Sequence, residues 1–200
     1  MIKNILFDMG NVVILFSPET IMTEKGITDP EDRAIVLKEI FRSQEWIDAD
    51  AGIITSAQIS DICLPRLPEH LRDRADRCVK DWWNPLHEID GMKEFIIEQK
   101  TKGIGIYLLS NAPDSIYEYW EKTPAHVYFD GKAISFEMGL SKPSPECFNA
   151  TLDKFGIKAE ETIFVDDVLD NVNGAIAVGM RGVQFKPGMD PHIIEAAMQG

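Results

Sequence analysis

Polar side chains stand where short apolar runs end at three places in this 200-residue chain. Asp8 closes the run of residues 2–7, Ser110 and Asn111 close residues 104–109, and Asp166 and Asp167 close residues 162–165. Each run has the length and composition of a buried strand. In open α/β sheets ligands bind at the carboxyl ends of the strands, where these residues would lie. Lys142, in the loop Gly139-Leu140-Ser141-Lys142-Pro143, adds a cation. The chemistry of the set is complementary. Asp8, Asp166 and Asp167 are hard oxygen donors suited to Mg²⁺. Lys142 would neutralise a phosphoryl group, Ser110 and the N–H groups after it would hydrogen-bond phosphate oxygens, and an aspartate can act as a covalent nucleophile. Each residue also has a plainer reading. An Asp after a strand is commonly a turn or cap residue, Ser110-Asn111 is a natural helix cap, and Lys142 before Pro143 is a solvated loop charge. The adjacent pair Asp166-Asp167 is harder to dismiss, because neighbouring carboxylates repel and call for a cation. The groups converge only if their strands are neighbours.

The elements needed to place them can be read from the pattern. After the first strand, Gly10-Asn11 is a turn dipeptide, followed by a second apolar run over residues 12–16 that suggests a small extended flap. Residues 17–86 have a different texture. Thr28-Asp29-Pro30-Glu31 offers a helix start, Thr55-Ser56 offers another, Pro65 and Pro68 end that helix, and a third helix is expected over residues 69–83. From Asp90-Gly91 the rhythm becomes α/β. It comprises a helix from Met92 ended by Gly103, a strand over 104–109, a short strand over 127–129 and a helix over 145–155 ended by Gly156. A strand over 162–165, a helix over 172–178 and a strand over 182–185 complete it. Strands alternating with helices imply a parallel sheet covered on both faces. The expected fold is α/β, a doubly wound, mainly parallel sheet formed by residues 1–15 and 87–200, with a helical cap inserted over residues 16–86.

Composition sets the outer bounds. Hydrophobic residues make up 44% and charged residues 26%, which suits a folded protein with a substantial core and excludes a disordered or disulfide-stapled chain. No apolar run approaches the ~20 residues of a bilayer span. The net charge of −13, with no clustered Lys/Arg stripe, argues against nucleic acid as a partner. Cys63, Cys78 and Cys147 lie far apart without a C-x-x-C pair and are expected to be reduced core thiols. The N-terminal segment reaches Asp8 too soon for a signal peptide, and the expected location is cytoplasmic. Gly103-Ile104-Gly105 precedes a strand and so is no dinucleotide loop. No Gly-x-Ser-x-Gly elbow occurs, and His70, His87, His126 and His192 lack metal-ligand spacing. Trp82-Trp83 is expected to pack between the helical segment and the sheet rather than to line a pocket.

In order, Ile5-Leu6-Phe7-Asp8-Met9-Gly10-Asn11-Val12-Val13, Leu108-Leu109-Ser110-Asn111, Lys142-Pro143-Ser144-Pro145-Glu146-Cys147-Phe148 and Phe164-Val165-Asp166-Asp167-Val168-Leu169-Asp170-Asn171 resemble the four motifs of the haloacid dehalogenase superfamily. The resemblance spans essentially the whole chain, and the helical insertion after the first motif is similar to that superfamily's helical cap. It implies Mg²⁺-dependent hydrolysis of a phosphomonoester through an aspartyl-phosphate, with Asp8 as nucleophile. It also implies Lys142 and Ser110 on the phosphoryl group, Asn111 and Asp50 among the substrate-binding residues, and Asp8, the Gly10 carbonyl, Asp167 and Asp166 at the metal. The first motif departs from the common pattern, because the second Asp, which exchanges the proton, is Gly10 here. The Asp-x-Gly-Asn-Val form resembles a subgroup that includes glucose-1-phosphate phosphatases. Without a positioned acid, easily leaving groups are favoured, so a sugar phosphate, and a 1-phosphate over a 6-phosphate, is the expected substrate. Alternatively Asp48 or Asp50, placed where related caps reach the site, supplies the proton; the plainer reading puts both in a solvated loop. Competing functions are metal-independent 2-haloacid dehalogenation, a non-catalytic binding role on the same fold, and phosphoryl transfer between positions of a sugar.

Overall fold

A computed structural model of the protein describes residues 1–123 and 125–199. Five strands form one sheet: β1 (Asn4–Phe7), β2 (Gly105–Ser110), β3 (Gly131–Ile134), β4 (Thr162–Asp166) and β5 (Arg181–Gln184). Their order is β3-β2-β1-β4-β5, and every pair is parallel. The expected sheet is therefore present, with β1 at its centre. In register, Phe7 lies opposite Leu108 and Val165, so β1, β2 and β4 end side by side.

Strand periodicity divides the sheet's side chains between two cores. Ile5, Phe7, Ile106, Leu108, Ile163 and Val165 pack on one face. Leu6, Leu109 and Phe164 pack on the other, with Phe148 of the helix α9 (Pro145–Phe155) and Ala175 of α10 (Leu169–Ala177). Ser144 caps α9 through its side chain, and Gly156 ends it at φ 63°. On the first face lies α6 (Met92–Thr101), which buries Met92, Phe95 and Ile96. The chain ends in α11 (His192–Gln199).

The segment between β1 and α6 contains helices and turns and no strand among its described residues: α1 (Pro18–Glu24), α2 (Pro30–Val36), α3 (Gln44–Asp50), α4 (Ser56–Cys63) and α5 (Glu69–Lys80). The local signals are visible. Asp29 caps α2 by accepting from the Glu31 and Asp32 N–H groups. Thr55 and Gln58 form a capping box at the start of α4. Helix α5 stops at Lys80, three residues short of the expected end, and Trp82 and Trp83 lie in the following turn.

Three further expectations need correction. Residues 127–129 are not a strand: His126–Tyr128 is a 3-10 turn with Val127 68% exposed, and the strand begins at Gly131. Asp130 sets this start. Its N–H donates to the Ile106 carbonyl at 2.7 Å, and its carboxylate accepts from the Ile106 N–H at 2.9 Å. Gly131 then passes under the Phe155 ring, where a Cβ would lie 2.7 Å from a ring carbon. Residues 12–16 are not an extended flap either. Val13 N and Ile14 N both turn back to the Met9 carbonyl, and only Ile14 makes isolated bridges, to Gly10 and Glu88. Asn11 permits this turn at φ 59°, and its side chain accepts from Phe16 N–H at 3.1 Å. Finally, α10 begins at Leu169, three residues before the expected start.

Candidate active site

The strand ends bring the polar groups of the sequence together. Asp8 extends β1 by one residue, its N–H donating to the Val165 carbonyl at 2.8 Å. Lys142 reaches in from the loop before α9, and its Nζ donates to Asp8 Oδ1 and Asp166 Oδ2, each at 2.7 Å. The Lys142 side chain is 1% exposed. Asn111 holds that loop in place: its Oδ1 accepts from Lys142 N–H at 2.9 Å and its Nδ2 donates to the Lys142 carbonyl at 3.0 Å. With both ends engaged on the Lys142 backbone, the Asn111 side chain positions Lys142, and it also lines the cavity, where the second N–H of its amide is not used by the Lys142 loop.

The two adjacent aspartates face different ways. Asp166 is fully buried and accepts from Lys142 Nζ, Val168 N–H and Asn171 Nδ2. It therefore stands behind the site and orients Lys142. Asp167 lines a cavity of about 250 Å³ together with Asp8 and Gly10. Its Oδ2 accepts from Asn11 Nδ2 at 3.0 Å. Ser110 also lines this cavity, buried to 4% exposure, with no protein hydrogen bond to its hydroxyl among the described residues. Asn11 and Asn171 were not singled out in the sequence. Their signal, an amide three residues after Asp8 and five after Asp166, becomes legible only once the turn and helix that follow are known.

The opposite wall comes from the helical segment. Phe16, Trp46, Asp50 and Trp82 line the same cavity, with Tyr119 beside them. Trp82 packs edge-on against both Phe16 and Tyr119 at 5.0 Å between ring centroids. The tryptophan pair thus splits: Trp82 faces the cavity, whereas Trp83 lies outside it under the Lys122 ammonium, 3.6 Å from its ring centroid. Asp48 and Asp50 split as well. Asp48 is outside the cavity and accepts from Gln44 Nε2 at 2.8 Å, while Asp50, at the end of α3, lines the cavity with Asp8.

The electrostatics follow from this burial. Desolvation raises the Asp8 carboxyl to about 7, against the pull of Lys142 and with the push of Asp166. Burial, aided by the charge of Asp8, raises Asp50 to about 8. Burial also moves Asp167 above its ordinary range. Burial works against the charge of Lys142, but Asp8 and Asp166 outweigh it and hold the ammonium above its usual pKa. Oxygens of Asp8, Asp166 and Asp167 lie within 4.8 Å of one another. Three carboxylates against one ammonium leave two negative charges uncompensated, the charge of one divalent cation. The donor set is all oxygen, as Mg²⁺ requires. A second acidic group, Glu98, His192 and Glu195, is already occupied by Lys102, which pairs with both glutamates.

A family profile described as haloacid dehalogenase-like hydrolase matches residues 2–179. The chain belongs to this hydrolase family. Among its relatives is a sesquiterpene phosphatase of Aspergillus oryzae, 29% identical over 187 residues that cover 92% of this chain and 89% of the relative. A D-ribitol-5-phosphate phosphatase of Bacteroides thetaiotaomicron is 26% identical over 204 residues, covering 95% of each chain. The crystal structure of a family enzyme from the same bacterium, in complex with magnesium and inorganic phosphate, superimposes with a TM-score of 0.75 at 26% identity, covering 97% of this chain and 99% of the other. No helix among the described residues is long and apolar enough to cross a membrane.

Proposed function

We propose that this hydrolase is a Mg²⁺-dependent phosphatase that acts through an aspartyl-phosphate on a small phosphorylated metabolite, a sugar phosphate. The observation that carries the reading is the arrangement at the cavity floor. A buried carboxylate, Asp8, is held by a buried ammonium, and a second cavity-facing carboxylate, Asp167, stands beside it. The phosphatase names of both relatives, and the magnesium and phosphate in the neighbouring structure, support it.

In this reading Asp8 attacks phosphorus through a carboxylate oxygen. Lys142 and the free hydroxyl of Ser110 hold the phosphoryl oxygens, and Asn111 and Asp166 keep Lys142 in place. Asp8, the Gly10 carbonyl and Asp167 hold the metal, with Asp166 behind them. When bound, Mg²⁺ offsets charge on the phosphoryl oxygens. Water then releases phosphate from Asp8. Residues 16–86 act as a cap on a core of residues 1–15 and 87–200. The aromatic rings of this cap provide a face for the C–H surface of a sugar and exclude water during the first step. Three buried, unpaired cysteines suit a reducing, cytoplasmic setting.

The test is phosphate release from glucose 1-phosphate, glucose 6-phosphate, ribitol 5-phosphate and a prenyl phosphate, with and without Mg²⁺. Asp8→Asn serves as the control. Release that needs both metal and Asp8, and is fastest on a sugar ester, is the expected result. Turnover that survives Asp8→Asn, or that ignores the metal, overturns the mechanism. A prenyl ester outrunning every sugar ester overturns the substrate class.

A further inference from the structure

Hydrolysis of a phosphomonoester of an ordinary alcohol needs one proton delivered to the leaving oxygen and one removed from the attacking water. The strand ends lack an obvious group for this work. Asp8 is engaged by Lys142, Asp167 by Asn11, and Asp166 is sealed behind the site. Position 10, next to the nucleophile in the cavity, is a glycine. Tyr119 reaches the cavity, but burial first, then the charges of Asp50 and Asp8, raise its hydroxyl far above the normal range, which makes it a poor acid.

Asp50 lies on the other wall of the same cavity. No protein group hydrogen-bonds its carboxyl among the described residues, so both oxygens are free for a ligand. Its backbone, by contrast, is anchored to the core. The Asp50 carbonyl accepts from Ser135 Oγ, and that same oxygen accepts from Ala112 N–H at 3.0 Å. One hydroxyl thus ties the end of α3 to the loop that follows β2 and Ser110. Two residues on, Gly52 at φ 74° lets the chain turn away over Phe136, where a Cβ would meet the Phe136 carbonyl oxygen at 2.6 Å. The anchored helix end thus keeps Asp50 at the cavity that Asp8 also lines, close enough for the two carboxyls to feel each other's charge.

We infer that Asp50 is the catalytic acid and base, a role resting on the phosphatase reading above. In the first step Asp8 Oδ bonds to phosphorus, the bond from phosphorus to the ester oxygen breaks, and the proton of the Asp50 carboxyl passes to that oxygen, releasing the alcohol. In the second, the Asp50 carboxylate takes a proton from water as the water oxygen bonds to phosphorus. The bond from phosphorus to Asp8 breaks, phosphate leaves, and Asp50 is again protonated. The burial that keeps the Asp50 proton in place near neutral pH suits the first step. With a positioned acid the leaving group need not be acidic, which removes the reason for preferring sugar 1-phosphates.

The experiment compares wild type, Asp50→Asn, Asp48→Asn and Asp8→Asn on the best alkyl ester and on 4-nitrophenyl phosphate, whose leaving group needs no proton. Asp50→Asn is expected to lose about 10²–10⁴-fold on the alkyl ester. On 4-nitrophenyl phosphate it should release a burst of one nitrophenolate per enzyme, followed by slow turnover, with phosphate retained on the protein after acid quench. Asp48→Asn should match wild type. Equal losses on both esters with no burst would assign Asp50 a structural role and overturn the inference, as would an Asp50→Asn enzyme with undiminished alkyl turnover. A wild type that releases no phosphate from any ester refutes the phosphatase reading itself. The inference fails alone when wild type is active, Asp8→Asn is dead and Asp50→Asn is unaffected. The thermal melt of Asp50→Asn checks folding, since the substitution is isosteric.

Discussion

Replacing Lys142 by Met isolates the electrostatic core of the site. The side chain is 1% exposed and its ammonium sits 2.7 Å from each of two carboxylates, themselves 11% and 0% exposed. Met keeps most of the stem's volume and removes the charge. Removing one partner of a buried ion pair leaves an uncompensated charge and costs about 3–5 kcal/mol. That is a large share of the roughly 5–15 kcal/mol that holds a typical domain together. The pH dependence separates this cause from lost packing. Lys142 lowers the pKa of Asp8, so in its absence the carboxyl moves further above about 7. A carboxyl whose folded pKa exceeds its unfolded value binds more protons folded than unfolded. Stability therefore falls as pH rises from the unfolded pKa towards the folded one.

Urea denaturation of the metal-free protein should show the Lys142→Met deficit at about 3–5 kcal/mol at pH 8, shrinking at pH 5 as the orphaned carboxylates take up protons. Saturating Mg²⁺ should recover part of the deficit, because a bound cation replaces some of the lost charge. A deficit below about 1 kcal/mol at pH 8, the range of exposed ion pairs, would refute the view that Lys142 neutralises a buried acidic site. An equal deficit at both pH values would assign the loss to packing.

Three further outcomes follow from the same geometry. A Cβ at Gly174 of α10 would lie 2.6 Å from the Pro143 carbonyl oxygen, so Gly174→Val should push on the Lys142 loop. It should cost about 1–3 kcal/mol and lower turnover more than substrate affinity, as read by a chemical melt and a kcat/KM split. Burial raises the Cys78 thiol to about 12 and Cys147 to about 11. Iodoacetamide at pH 8 should therefore leave the folded protein's three thiols unmodified and label all three after unfolding, by intact mass. Mg²⁺ at 100 times its dissociation constant should stabilise the protein by about 2.7 kcal/mol. Asp167→Asn should shift the Mg²⁺ midpoint of that thermal stabilisation upward, and an unmoved midpoint would remove Asp167 from the metal.

The sheet was legible because burial on both faces leaves a compact signature, a few consecutive branched or aromatic residues ending abruptly on a polar one. Ile5-Leu6-Phe7 before Asp8 and Ile163-Phe164-Val165 before Asp166 carry it. The same rule misplaced β3, since Val127-Tyr128-Phe129 is apolar yet forms a turn, and the strand that follows is set by the hydrogen bonds of Asp130 to β2. No local pattern encodes such a tertiary anchor. The helices α7 (Ile116–Tyr119) and α8 (Ser135–Met138) were likewise invisible, because one turn holds too few residues to show a period.

The site divides along the same line. Asp8, Ser110 and Asp167 could be singled out in the sequence because a parallel sheet delivers its strand ends to one edge, and adjacent positions in the register become adjacent atoms in space. Asp50 obeys no such rule. It ends a seven-residue helix, α3, whose sequence Gln44-Glu45-Trp46-Ile47-Asp48-Ala49-Asp50 offers two aspartates with equal claims. The helical repeat separates them: two residues apart, they point about 200° away from each other. Asp48 is turned to solvent and Gln44, Asp50 to the cavity. The rotation goes with tertiary contacts: Ala49 between the two aspartates is fully buried, and the helix end pairs with Ser135, 85 residues away. A proton-transfer group held there is available only while the helical segment lies over the strand ends. Displacing that segment would leave Asp8 and Lys142 intact but without an acid. Cleavage of an alkyl ester would then depend on closure, whereas attack on an ester with a good leaving group would not. Substitutions that loosen this contact, Ser135→Ala first among them, should therefore reproduce the Asp50→Asn pattern of slow alkyl turnover with a nitrophenolate burst, without touching a group that meets the substrate.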